Sequence, residues 1–182
     1  MRIVLALLLT ALTLSVPVLA DEREGELDRL FAQLGAAGSP AEAAPLETAI
    51  WDAWIYAGDS NTDEMMDRGI LAMESGALAL AEGIFSSIVT ALPSLSEGWN
   101  KRATVFYLMG DLDASVRDIQ KTLELEPRHF GALSGLGLIY IETEQYPAAI
   151  RAFDRALEIH PQQPLIRAQE KILRDKLKGS EI

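Results

Sequence analysis

Two histidines, a knot of carboxylates and one glycine-rich run are the parts of this sequence that could do chemistry. His129 and His160 each stand near a proline, Asp63, Glu64 and Asp67 crowd one short stretch, and residues 131–137 read GALSGLG. General acid–base catalysis needs such groups fixed close to one another around a substrate. Here they are dispersed along the chain. Two histidines without a cysteine make a poor metal set, and both are expected at the surface. Acids in the first turn of a helix are favoured by its dipole without any catalytic purpose. The glycine run has no strand before it, as a phosphate-binding loop requires, and is read as helix packing. No catalytic residue, metal or cofactor is therefore expected, and a hydrolase built from the acidic knot is the weakest alternative.

What, then, must these residues be part of? The chain of 182 residues opens with MRIVLALLLTALTLSVPVLA, one arginine followed by an apolar run and a small-residue end. Residues 1–20 are expected to be a secretory signal peptide cleaved after Ala20, because the apolar run is shorter than the ~20 residues of a bilayer span. No stable membrane insertion is expected after cleavage. There is no cysteine, which removes disulfides, thiolate metal ligation and a lipoprotein attachment site. Export without cysteine points to the periplasm. The net charge is −11, or 15 − 27 = −12 once Arg2 is removed, a field that repels phosphate backbones, so no nucleic-acid partner is expected.

The elements announce themselves by repetition. Pro93, Pro127 and Pro161 are evenly spaced along the chain. At the same period lie Gly69, Ala103 and Gly137, then Ala81, Ser115 and Ala149, then Phe85, Ile119 and Phe153. A unit of two antiparallel helices buries its apolar faces only against its own partner helix and the next unit, so small residues belong where helices cross. Gly137 is expected to face Ala149, with Phe153 filling the gap beside them. Each proline ends a second helix, and Pro147 sits at the start of one, where a missing N–H does no harm.

The third copy supplies Leu133, Leu136, Gly137, Tyr140, Ala149, Phe153, Ala156 and Pro161; the second gives Trp99, Ala103, Phe106, Ser115, Ile119, Thr122 and Pro127; the first gives Met65, Gly69, Ala72, Ala81, Phe85, Ile88 and Pro93. On these residues the chain resembles the tetratricopeptide repeat family. The resemblance implies an all-α helical-hairpin solenoid of three 34-residue repeats: residues 62–95, 96–129 and 130–161. In the leucine column the pattern is broken by Arg68 and Arg102. Two readings stand: each stem packs while its guanidinium reaches a carboxylate such as Glu82 or Asp118, or the pair helps hold an anionic group.

Residues 21–61 flank the array as an N-terminal helical hairpin, with a degenerate repeat as the alternative. Leu27, Leu30, Phe31 and Leu34 share one helical face, and Ser39-Pro40-Ala41-Glu42 reads as a capping box opening a helix through Trp51 and Trp54. Asp59-Ser60-Asn61 is expected to close that helix, and both tryptophans to pack on the first repeat. Residues 162–182 are expected to form a capping helix and tail, polar outward.

The resemblance further implies a concave groove lined by the first helix of each unit. Its positions here are Met66, Asn100 and Ser134; Ile70, Thr104 and Leu138; and Met73, Tyr107 and Ile141. Asp63, Asp67, Glu74, Glu97 and Glu142 stand at its margins. The expected partner is a protein, held by an apolar peptide segment or amphipathic helix with basic flanks. The expected role is a non-enzymatic adaptor in the bacterial periplasm for an envelope or secreted protein. The alternative is a holdase-like or assembly factor in envelope biogenesis, such as cytochrome maturation or outer-membrane assembly.

Overall fold

The computed structural model describes residues 16–56 and 58–179, so most of the leader and the end of the tail lie outside the described residues. Among the described residues are nine helices and no strand. They are α1 (Val16–Ala36), α2 (Pro40–Ile55), α3 (Ser60–Glu74), α4 (Leu78–Ala91), α5 (Ser96–Leu108), α6 (Leu112–Leu125), α7 (Phe130–Glu142), α8 (Tyr146–Ile159) and α9 (Pro164–Gly179). The units pair as α3 with α4, α5 with α6 and α7 with α8, and α9 packs on α8. No helix among the described residues is long and apolar enough to cross a membrane.

Each boundary has a local cause. Ser39 accepts the Glu42 N–H at 3.3 Å while Glu42 reaches back to the Gly38 N–H at 3.0 Å, and Pro40 takes the first helical position of α2. Asp59 does not close α2. It caps α3 instead, accepting the Thr62 N–H at 3.1 Å, and α2 ends at Tyr56. Pro93, Pro127 and Pro161 each follow the C-cap of a second helix. Between the helices of each unit the chain turns through the left-handed region, at Gly76 (φ 78), Gly110 (φ 80) and Glu144 (φ 57), the same place in every repeat.

Inside each unit the small column meets the large one. A Cβ added at Gly69 would lie 2.6 Å from Phe85 Cε1, and one at Gly137 would run into the Phe153 ring. Where the second helix carries the slimmer Ile119, the first tolerates Ala103, and both are buried. Glycine and phenylalanine, or alanine and isoleucine, are two fillings of one crossing.

The hairpin departs from the expected arrangement. Trp51 and Trp54 do not pack on the first repeat: their rings meet Phe130 at the start of α7, at 5.3 and 5.2 Å between centroids. Phe31, Leu34, Ile50, Trp54 and Phe130 form one buried cluster joined by Ile159 at the end of α8. Helix α1 touches α8 and α2 touches α5. The hairpin thus lies across the junctions between units rather than stacked on α3 as another repeat. Ile55, at its far end, joins the core of the first unit.

Candidate functional site: the concave groove

Helix α5 and helix α7 stand side by side, and between them opens an apolar cavity of about 320 Å³. Of the nine groove positions, Asn100, Thr104, Tyr107, Ser134 and Leu138 line it, joined by Leu108, Ile119 and Ile139. Their convergence follows from helical spacing, since residues three, four and seven apart share a face. Gly131 and Gly135 of α7 also line it.

The polar side chains have a common orientation of chemistry. Thr104 Oγ1 donates to the Asn100 carbonyl at 3.0 Å, and Ser134 Oγ donates to the Phe130 carbonyl at 2.8 Å. Asn100 Nδ2 donates to Glu97 at 3.0 Å. With these donors engaged, both hydroxyl oxygens and the Asn100 side-chain Oδ1 offer acceptors. A floor of this kind suits the N–H groups of an incoming backbone.

The remaining positions are drawn elsewhere. Met66 is fully buried in the core of the first unit, where Ile70 and Met73 also pack, and is removed from the groove surface. Ile141 packs toward Leu173 of α9. Glu97, expected at the margin, is fully buried as well.

Glu97 belongs to a seam that the residue types alone did not reveal. His129 and His160, expected at the surface, are 0% and 1% exposed. His129 Nδ1 accepts the Ala132 N–H at 3.1 Å as the cap of α7, which leaves the ring proton on Nε2, 2.8 Å from Glu97 Oε2. Trp54 stacks on the His129 ring at 4.0 Å, with an interplanar angle of 11°. Lys101 Nζ stands 3.0 Å from Glu97 Oε1 and lies over the Trp51 ring, so it faces the seam and not the groove. Burial pushes the Glu97 carboxyl toward its neutral form, but the hydrogen bond from His129 and the neighbouring Lys101 charge outweigh it. The carboxyl is held below its ordinary range. His160 meets Glu47 of α2 at 3.3 Å and Phe130 edge-on. A signal did exist: His129 occupies the column of Leu95, which is also buried.

The two arginines are not brought together. Arg102 grips Asp118 with two bonds, at 2.7 and 3.0 Å, and reaches Ser86 at 3.1 Å, so its fork is engaged within the protein. Arg68 is exposed on α3. Asp63, Glu64 and Asp67 share the first turns of that helix. Asp67 lies against Tyr56, and its charge is the main reason the Tyr56 phenol is pushed above its usual range. No group of three or more possible ligands among the described residues could hold a metal ion.

A tetratricopeptide repeat model matches residues 100–164, the stretch that holds the cavity. A TPR repeat-containing protein of Rhizobium etli is 32% identical over 154 residues, covering 85% of this chain and 76% of that protein. Among solved structures, the Sgt2 TPR domain from Aspergillus fumigatus superposes with a TM-score of 0.63 at 17% identity, over 68% of this chain and 83% of that one. The first TPR of Spaghetti, bound to an HSP90 peptide, gives 0.60 at 16% identity, over 63% and 90%. The repeated columns, the paired helices and a relative that spans most of both sequences have one meaning: the chain belongs to the tetratricopeptide repeat family.

Proposed function

We propose that this protein is an adaptor that holds a peptide segment of another protein in the cavity between α5 and α7. The observation that carries the reading is the cavity itself. It is walled by Tyr107, Leu138 and Ile139 and floored by the acceptors of Asn100, Thr104 and Ser134. An apolar side chain enters the cavity while its backbone N–H groups meet those acceptors. Glu74 and Glu142 are exposed on α3 and α7 and favour basic residues flanking the segment. The peptide bound to the first TPR of Spaghetti supports the mode of binding by analogy of fold. The residues given to chemistry elsewhere, Glu97 and His129, are closed to substrate by burial, which favours binding over catalysis.

The place of action we infer from the leader is the periplasm, with an envelope or secreted protein as partner. The test is photocrosslinking in the source cell, with the reactive side chain at Tyr107 and a control at Arg117, which is exposed on α6. One dominant product at Tyr107, absent at Arg117, is the expected result, and its mass identifies the partner. A broad smear of products replaces the adaptor with a holdase. No product from a folded, exported protein overturns the groove assignment.

A further inference from the structure

Because the units repeat, each side chain can be compared with its counterpart in the next unit. Val105 of α5 and Ile139 of α7 hold the same position and are 0% and 3% exposed, closed between one unit and the next. Leu71, their counterpart on α3, is 67% exposed. Leu80 on α4 is 59% exposed, whereas Ala114 at its position on α6 is 6% exposed. Gly98 and Ala132 are buried where the first unit has the exposed Glu64. The cause is the diverted hairpin: it lies across the unit junctions, so among the described residues the outer side of α3 and α4 is a stacking face without a layer on it.

The arginine column shows what that face lacks. In the second unit Arg102 binds Asp118 of its own unit and Ser86 of the preceding one. In the first unit the position of Asp118 is taken by Ile84, and among the described residues no layer is stacked before it. A second molecule can therefore supply Arg68 with the kind of acceptor that Asp118 gives Arg102. Glu64 lies one helical turn before Arg68 on the same exposed side of α3. Two such helices running antiparallel place each Arg68 opposite the other's Glu64.

We propose that the exposed α3–α4 face pairs with the same face of a second copy about a two-fold axis, with Leu71 and Leu80 of both chains in the seam. Charge argues for this occupant. The net charge of −11 repels copies approaching by most of the surface, so pairing is confined to a face that brings its own cation and is its own complement. With two exposed leucines and one ion pair from each chain in the seam, the dissociation constant is expected at about micromolar.

Sedimentation equilibrium of the purified chain, from about 1 to 200 μM, tests the proposal. The expected result is a monomer–dimer equilibrium that Leu71→Glu and Arg68→Glu each weaken at least about tenfold, because each buries an unpaired or repelled charge. The double variant Glu64→Arg with Arg68→Glu, which restores the pair with its signs exchanged, recovers the dimer to within a few-fold. These side chains are exposed, so the unfolding midpoint of wild type and variants is expected to agree at concentrations well below the dissociation constant, where the chain is monomeric. A wild-type chain that is monomeric throughout overturns the proposal, as does a dimer indifferent to Leu71→Glu. Species growing beyond the dimer also overturn it, in favour of an open head-to-tail contact.

Discussion

Two kinds of interface hold this molecule together, and they obey different rules. Within the repeats, a glycine or alanine on a first helix receives a phenylalanine or isoleucine from the second, and the same crossing returns in every unit. Between the hairpin and the repeats, nothing recurs. Trp54 stacks on His129, His129 bonds to a buried Glu97, Gln162 donates to the Ala37 carbonyl at 2.9 Å and Arg128 bridges Asp28 at 2.5 Å. The first kind is set mainly by volume, with few side-chain bonds such as Ser115 Oγ to the Ala103 carbonyl at 2.8 Å. The second depends on particular hydrogen-bond partners and aromatic planes, so it is specific to one pairing and cannot propagate into a further repeat.

The largest effect is expected where the aperiodic seam is most concentrated. Trp54→Ala removes a side chain only 4% exposed that touches Phe31, His129 and Phe130. The expected loss is about 3–5 kcal/mol, read from the urea midpoint. Loss of less than about 1 kcal/mol would show that the hairpin contributes little to the stack. In the periodic interface, Gly137→Ala is expected to cost about 1–3 kcal/mol by pressing a methyl group on the Phe153 ring. Adding Phe153→Ile reproduces the Ala103 and Ile119 pairing of the second unit and should return part of that loss. A double variant no better than the single one would refute the idea that the two fillings are interchangeable.

The same contrast decides which features the amino-acid sequence discloses by itself. The helical class, the repeat period, the capping box at Ser39 and the place of Phe153 beside Gly137 were legible because each rests on spacing along one short stretch. The path of the hairpin was not. Trp51 and Trp54 are equally apolar whether they face α3 or α7, and the contact that decides, with Gly131 and Phe130, lies far along the chain. A Cβ at Gly131 would stand 2.6 Å from Trp51 Cη2, so that glycine serves the seam, a role its place in GALSGLG does not betray. The groove was legible in part, for a similar reason. Asn100, Thr104, Tyr107, Ser134 and Leu138 share a face by helical geometry, but Met66 has unit-specific neighbours that bury it.

Acid separates the two interfaces more gently. The Glu97 carboxyl is held below the 4.5 of its ordinary state. A carboxyl depressed in the folded protein contributes stability that is fully present above that ordinary value and disappears as pH falls through the folded one. Urea midpoints measured downward from pH 6 should therefore begin to fall below about pH 5, and this part of the slope should vanish in Glu97→Gln. An unchanged slope in that variant would assign the acid sensitivity to other carboxylates.

The smallest expected effect lies in the turn column and has the opposite sign. Gly76 and Gly110 carry positive φ at no steric cost, whereas Glu144 adopts φ 57 at the third position of the same column. A side chain there crowds its own backbone by roughly 1–2 kcal/mol, and glycine returns somewhat less because it also frees the unfolded chain. Glu144→Gly is expected to raise stability by about 0.5–1 kcal/mol and leave the Glu97 acid response untouched. The turn joins α7 to α8, away from the hairpin, so its gain should add to the loss of Trp54→Ala without coupling. Strong non-additivity in that double variant would mean that the third unit and the hairpin seam yield together, and that the periodic and aperiodic interfaces are energetically one.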